Sequence, residues 1–192
     1  MIELQHINVK LLVKDQEGIE LEPLILVFHG WIQEQSFDEL LIDVADYRHV
    51  PDGPGVMIIG HEADYSLDQT NGQLGVRYNH KSILNSTNQE RLKQAARSAL
   101  KTFQRLEQDT RLEQKFNFNG KDIQIFINDR LLAPNTPESQ KALEPEFRQL
   151  GNLLFGAENY ELTWQCDPRR LTGASFIGKN AITISGLLQK LG

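Results

Sequence analysis

A chain of 192 residues, 40% of them hydrophobic and 24% charged, is long enough for one sizeable domain or two small ones sharing a core. Its longest uninterrupted apolar run, Leu24 to Phe28, falls far short of the roughly 20 residues that span a bilayer. MIELQHINVK lacks the basic flank and apolar stretch of a signal peptide, and a single cysteine excludes an internal disulfide framework or a cysteine zinc cage. A soluble cytoplasmic protein with no membrane partner is expected.

The formal charge of −6 is unevenly spread. Residues 15–68 hold thirteen acids and one base, Arg48, for −12, whereas residues 1–14 carry +1 and residues 69–192 carry +5. Such polarity steers encounters with charged partners. Overall acidity argues against nucleic acid as the default partner.

Residues 4–14 (LQHINVKLLVK) alternate as a strand. After an acidic turn, Leu21, Leu24, Ile25, Phe28, Trp31 and Ile32 recur at helical spacing, with Pro23 in the first turn, where proline is tolerated. Residues 39–47 read as a strand with Leu40, Ile42 and Val44 toward the core, and VMIIG (56–60) as the next. SLDQTNGQLGVRYN (66–79) reads as a hairpin, because Asn71-Gly72 supplies the positive φ angles of a type I′ turn.

The segment 85–109 places Leu92, Ala95, Ala96, Ala99, Leu100, Phe103 and Leu106 on one helical stripe, and Ser86 followed by Gln89 has the form of a capping box. KFNFNGKDIQIFIN (115–128) reads as a second hairpin, turning at Asn119-Gly120. Thr136-Pro137 opens another helix with Leu143, Phe147, Leu150 and Leu154 as its buried stripe and Gly156 as its stop. NYELTWQC and GASFIG read as strands, and the tail AITISGLLQKLG as a short strand or helical turn.

The two halves echo one another. LLVKD, LEPLILVFHGWI, DELLIDVADYRHV and VMIIG are followed later by IFIND, LEPEFRQLGNLL, NYELTWQCDPRRL and ASFIG, and Asp46 and Arg48 match Asp167 and Arg169. The expected fold is α+β, a single compact domain over 1–192. It has a mixed, mostly antiparallel sheet with helices packed on a face. Pseudo-repeated β-α-β-β modules at 4–80 and 115–185 are joined by the long amphipathic helix 86–108. All five histidines lie in the first half, which points to that half as the functional one.

If strands 40–47 and 56–64 pair across loop 48–54, Asp43 and His61 share the solvent face as a candidate catalytic acid–base pair. The competing reading is a half-solvated sheet face whose Asp and His satisfy one another. Asp46, Tyr47, Arg48, His49, Glu62 and Asp64 form a candidate binding group. His61, Glu62, Asp64 and His80 make a poor metal set, because successive strand residues point to opposite faces and GHEAD is not the helical HExxH pair. No metal and no cofactor is expected.

PDGPG (51–55) lacks the downstream helix of a phosphate loop and reads as a stiff turn. Lys93, Arg97, Lys101 and Arg105, each four apart, form a basic ridge whose like charges are mildly destabilising. Either the ridge is solvated, or it faces acid from the first half or from an acidic protein, or it meets nucleic acid. His29 reads as a core-edge histidine, Gly30 as a point of close packing in mid-helix, and Cys166 as a small buried residue.

VFHGWIQEQ and DELLIDVADYRHVPDGPGVMIIGHEADYSLD, within residues 27–68, resemble a family of uncharacterised bacterial proteins found mainly in cyanobacteria. The resemblance implies a cytoplasmic bacterial setting and carries neither an activity nor catalytic residues. The expected function is that of a non-enzymatic binding protein, taking a protein or a small-molecule ligand through the acidic polar edge of the first half. The alternative is a small hydrolase- or isomerase-type enzyme built on Asp43 and His61, with Tyr47 and Arg48 orienting the substrate.

Overall fold

Apolar–polar alternation from Ile7 to Leu11 in INVKLLV builds the first strand, β1 (Ile7–Val13). It sends Ile7, Val9, Leu11 and Val13 to one face and Asn8, Lys10 and Leu12 to the other. In the computed structural model, which describes residues 2–192, β1 lies near the middle of an eight-stranded sheet. The chain continues through α1 (Pro23–Gln33), β2 (Leu41–Tyr47), β3 (Gly55–Gly60), β4 (Ala63–Asp68), β5 (Gly75–His80) and α2 (Asn88–Gln108). It then forms β6 (Phe118–Ile127), α3 (Pro137–Phe155), β7 (Tyr160–Trp164), β8 (Thr172–Gly178) and α4 (Ile184–Leu191).

The strand order is β2-β3-β4-β5-β1-β6-β8-β7, and every neighbouring pair is antiparallel. The architecture is therefore α+β with one antiparallel sheet. The order β-α-β-β occurs as β1-α1-β2-β3 and again as β6-α3-β7-β8, with the hairpin β4–β5 added in the first half. In each case the helix crosses over strands laid down later, so that β2 runs in the direction of β1, and β7 in the direction of β6.

All four helices pack on one face. α1 lies over β2 and β3, α2 over β1 and β5, α3 over β7 and β8, and α4 fills the gap between α2 and α3. The expected stripe of α2 is buried from Leu92 to Leu106, as are Leu143, Phe147, Leu150 and Leu154 of α3. Full burial of one such side chain stabilises by about 1.5–3 kcal/mol, so these stripes fix which way each helix turns. Pro23 sits in the first turn of α1, Thr136 caps α3 by accepting from the Ser139 amide, and Gly156 ends it at φ 87.

Several local expectations are corrected. The capping box of α2 is one residue later than read, formed by Thr87 and Glu90, because Glu90 reaches back to the Thr87 amide. A bulge between Leu41 and Asp43 shifts the register of β2. Leu41 therefore turns inward with Val44 behind it, while Leu40 and Ile42, read as core, are 69% and 55% exposed. Asn71-Gly72 does turn the β4–β5 hairpin, both residues at φ 64.

Asn119-Gly120 turns nothing. β6 continues past it, because the residues before it form the loop from α2 and provide no strand to reverse from. Gly120 instead sits at φ 71 in an irregular stretch of the β1–β6 ladder, against the Ile182 carbonyl. His29 and Cys166 are exposed, not buried, and the tail closes as the helix α4. Gly30 is a point of close approach, with the Arg111 guanidinium occupying the space of a side chain.

Gly120→Ala forces a residue with a Cβ into the left-handed region and against the Ile182 backbone. We expect a loss of about 1–2 kcal/mol, read as a lower urea midpoint at unchanged m-value.

Candidate functional site

The helices do not cover their face evenly. α1 shields β2 and β3, α2 shields β1 and β5, and a cleft of about 520 Å³ remains between them over β4. Its floor is Tyr65 of β4 and Tyr78 of β5, directly paired across the hairpin. One wall is the α1–β2 connection with Asp38 and Glu39, continued by Glu62 from the β3–β4 turn. The other is α2, which presents Gln94, Arg97, Ser98, Lys101 and Arg105.

Glu39 organises the acidic wall. Its Oε2 accepts from the amides of Glu62 at 2.7 Å and Ala63 at 3.0 Å, and its Oε1 accepts from the Tyr65 hydroxyl. Tyr65 continues an aromatic chain from Phe28 through Trp31 and Phe37, with centroids 5.0, 5.6 and 4.7 Å apart. The chain passes on to Tyr78 at 5.4 Å. Such tilted contacts add to the burial of each ring and make the floor rigid.

Both floor phenols stay protonated. Burial, followed by the Glu39 carboxylate that its hydroxyl bonds, raises the Tyr65 phenol far above its ordinary range. Burial pushes Tyr78 up to about 12. The Tyr78 hydroxyl shares a hydrogen bond with His80 Nδ1 at 2.9 Å and accepts from Gln94 Nε2 at 3.0 Å. The floor therefore offers neutral hydroxyl groups and no base.

On the basic wall, Arg105 is held by Glu34 at 2.9 Å and by Ser36, and its guanidinium lies 5.4 Å over the Trp31 ring. Arg97 donates to the Leu191 carbonyl. Lys101 is exposed, and among the described residues it has no ion-pair or hydrogen-bond partner. The same is true of the carboxylates of Asp38 and Glu62. Lys93, the fourth member of the ridge, lies outside the cleft.

The remaining expected site residues fall in separate places. Asp43 is exposed and accepts from the adjacent Val44 amide at 2.8 Å. His61 lies in the β3–β4 turn beyond the strand end, its amide donating to Leu40. No hydrogen bond or ion pair joins the two among the described residues, because the bulge in β2 and the turn at 61–62 end the pairing before they become neighbours. Asp64 faces the helix-free side and binds Lys81 at 2.7 Å.

Asp46, Tyr47, Arg48 and His49 sit at the β2–β3 end, a whole strand away from Glu62, which at ~3.3 Å per residue is roughly 20 Å. They are not one site with it. Asp46 and Arg48 close on each other, with Arg48 Nε and Nη2 donating at 2.9 and 2.8 Å. Tyr47 stacks on His49 at 6.3 Å.

The same Asp-x-Arg clasp recurs at Asp109/Arg111 and Asp167/Arg169. In all three, hydrogen bonds from the arginine hold the aspartate down at about 2. Recurrence at three chain turns marks the clasp as a device that fixes the backbone.

Among the described residues no group of three or more His, Cys, Asp or Glu is arranged to hold a metal ion. No helix of the described residues is long and apolar enough to cross a membrane. Compared with known proteins, the chain matches no family model and no curated protein.

His80, behind the floor, is buried, and burial lowers its pKa from the ordinary 6.5. The folded state therefore binds this proton less readily than the unfolded chain, so the contribution is complete above 6.5 and is lost as pH falls through the lower folded value. We expect the urea midpoint to drop as pH falls from neutrality through 6.5. His80→Phe, which keeps a flat ring in place, should flatten that slope.

Proposed function

We propose that the protein is a non-enzymatic binding protein whose helical-face cleft takes a small zwitterion, such as an amino acid or a short peptide. One observation carries the reading. Carboxylates of Asp38 and Glu62 and the ammonium of Lys101 stand on opposite walls of a cleft of about 520 Å³, and none is paired among the described residues. A ligand with an amine at one end and a carboxylate at the other matches that arrangement. The flat tyrosine floor and the carboxamides of Gln94 and Gln104 provide apolar contact and hydrogen bonds between the ends.

The basic ridge and the acidic segment thus contribute to one site from different parts of the chain. The mild repulsion along Arg97, Lys101 and Arg105 is offset by the acidic wall they face. A catalytic reading finds less support, because among the described residues no hydrogen bond or ion pair joins Asp43 and His61 and the floor phenols are held protonated.

The reading is tested by titrating free amino acids and dipeptides into the protein, first by thermal shift and then by calorimetry. We expect at least one to raise the melting temperature. Lys101→Glu and Glu62→Lys, both exposed positions, should each weaken that ligand by more than tenfold, since each turns an attraction into a repulsion. No stabilising ligand across the panel, or equal affinity in both variants, would rule the cleft out as the site.

A further inference from the structure

The helix-free side of the sheet holds a second hollow, built from different residues. Lys10 of β1 and Asp68 of β4 meet there at 2.5 Å, only 2% and 1% exposed, and Lys10 also donates to the Thr70 carbonyl at 3.0 Å. Arg77 of β5 shares the same carboxylate at 3.3 Å. A buried lysine–carboxylate pair on a face that no helix covers is an unusual expense of desolvation, and it fixes charge at the base of a cavity.

Around this pair lies a cavity of about 160 Å³ that Arg130 and Arg170 also line. Neither guanidinium has a carboxylate partner among the described residues; Arg130 donates to the Arg169 carbonyl at 2.8 Å. Lys10, Arg77, Arg130 and Arg170 against the single acid Asp68 leave the cavity at +3 in a chain of net −6.

Phe126 closes one side, with the Arg77 guanidinium 5.9 Å over its ring. The cavity adjoins a second, of about 260 Å³, with which it shares Asn71, Gln124, Phe126 and Gln165. That neighbour is lined by Asp122, whose buried Oδ1 has no hydrogen-bond partner among the described residues.

From these features we infer that the uncovered face binds a phosphate monoester bearing a flat, polar-edged group, of the nucleoside monophosphate kind. The doubly charged phosphate sits against Arg130 and Arg170, whose planar forks suit its oxygens. The flat group lies along Phe126 toward the second cavity. There the carboxamides read its edge, and the orphaned Asp122 oxygen accepts a hydroxyl or amino donor. The site lies on the opposite side of the sheet from the helical cleft and is independent of it.

Calorimetry with adenosine 5′-monophosphate as the probe, at low salt, tests the inference. Orthophosphate and uncharged adenosine serve as comparisons. The monophosphate is expected to bind more tightly than orthophosphate, adenosine not at all, and added salt to weaken the complex.

Arg130→Ala and Arg170→Ala should each raise the dissociation constant at least tenfold, and together abolish binding. Both arginines are exposed, and an unchanged urea midpoint will show that the fold is intact. The inference is overturned by no binding at millimolar probe, by an unchanged constant in the double variant, or by adenosine binding as well as its phosphate. Orthophosphate binding as tightly as the probe would equally overturn it, by leaving no role for the flat group. Lys101→Glu should leave this affinity untouched, so failure here and failure of the helical cleft are read separately.

Discussion

The protein is organised by covering a twisted antiparallel sheet on one side only. Toward the helices every strand must present apolar side chains, and Val9, Val76, Ile125 and Phe176 do so across four adjacent strands with no measurable or almost no exposure. Toward the other side the same strands must present groups that either meet water or satisfy one another. Lys10, Asp68 and Gln124 take the second course and are nearly as buried as the core. A sheet laid out in this way has two unlike surfaces, and each holds a concavity.

The concavity on the helical side arises from helix spacing. The connection β1–α1–β2 carries α1 to the sheet margin, because β3, β4 and β5 are later inserted between the strands that it joins. α2 returns over β1, and the tyrosines of the β4–β5 hairpin are left at the bottom of the space between. The extra hairpin of the first half thus creates the space, and the acidic α1–β2 connection and the basic ridge border it. In the second half β6 and β7 are separated by one strand only, and α3 lies directly over that strand and β7.

Patterns of period 2 and 3.6 were readable wherever one face of an element is buried. The stripes of α2 and α3, the Thr136-Pro137 start and the positive φ angles of Asn71-Gly72 followed from residue chemistry alone. Leu40 and Ile42 misled because a bulge changes which residues face inward, and nothing local in LLIDV announces one. Asn119-Gly120 misled because the same dipeptide serves a turn or a strand irregularity, and the choice depends on whether a partner strand precedes it.

The cleft floor was within reach. Tyr65 stands six residues before Asn71, and Tyr78 six after Gly72, so the hairpin turn alone aligns them. The role of Glu39 was not, since its contacts with Glu62, Ala63 and Tyr65 depend on how α1 returns to the sheet. The three Asp-x-Arg clasps explain part of the resemblance between the halves. A short motif that stiffens a turn recurs wherever such a turn is needed, and its third occurrence, at Asp109, lies outside both echoing segments.

The irregularity at Leu41–Asp43 has a further effect, because β2 is the outermost strand on its side. A straight outer strand bearing Leu40 and Ile42 toward solvent would be a template for a neighbouring molecule to extend the ladder. Breaking the spacing of its outward amides and carbonyls at the start of the strand shortens that template. The same irregularity that turns Leu41 into the core thereby makes this end of the edge a poorer template for such pairing.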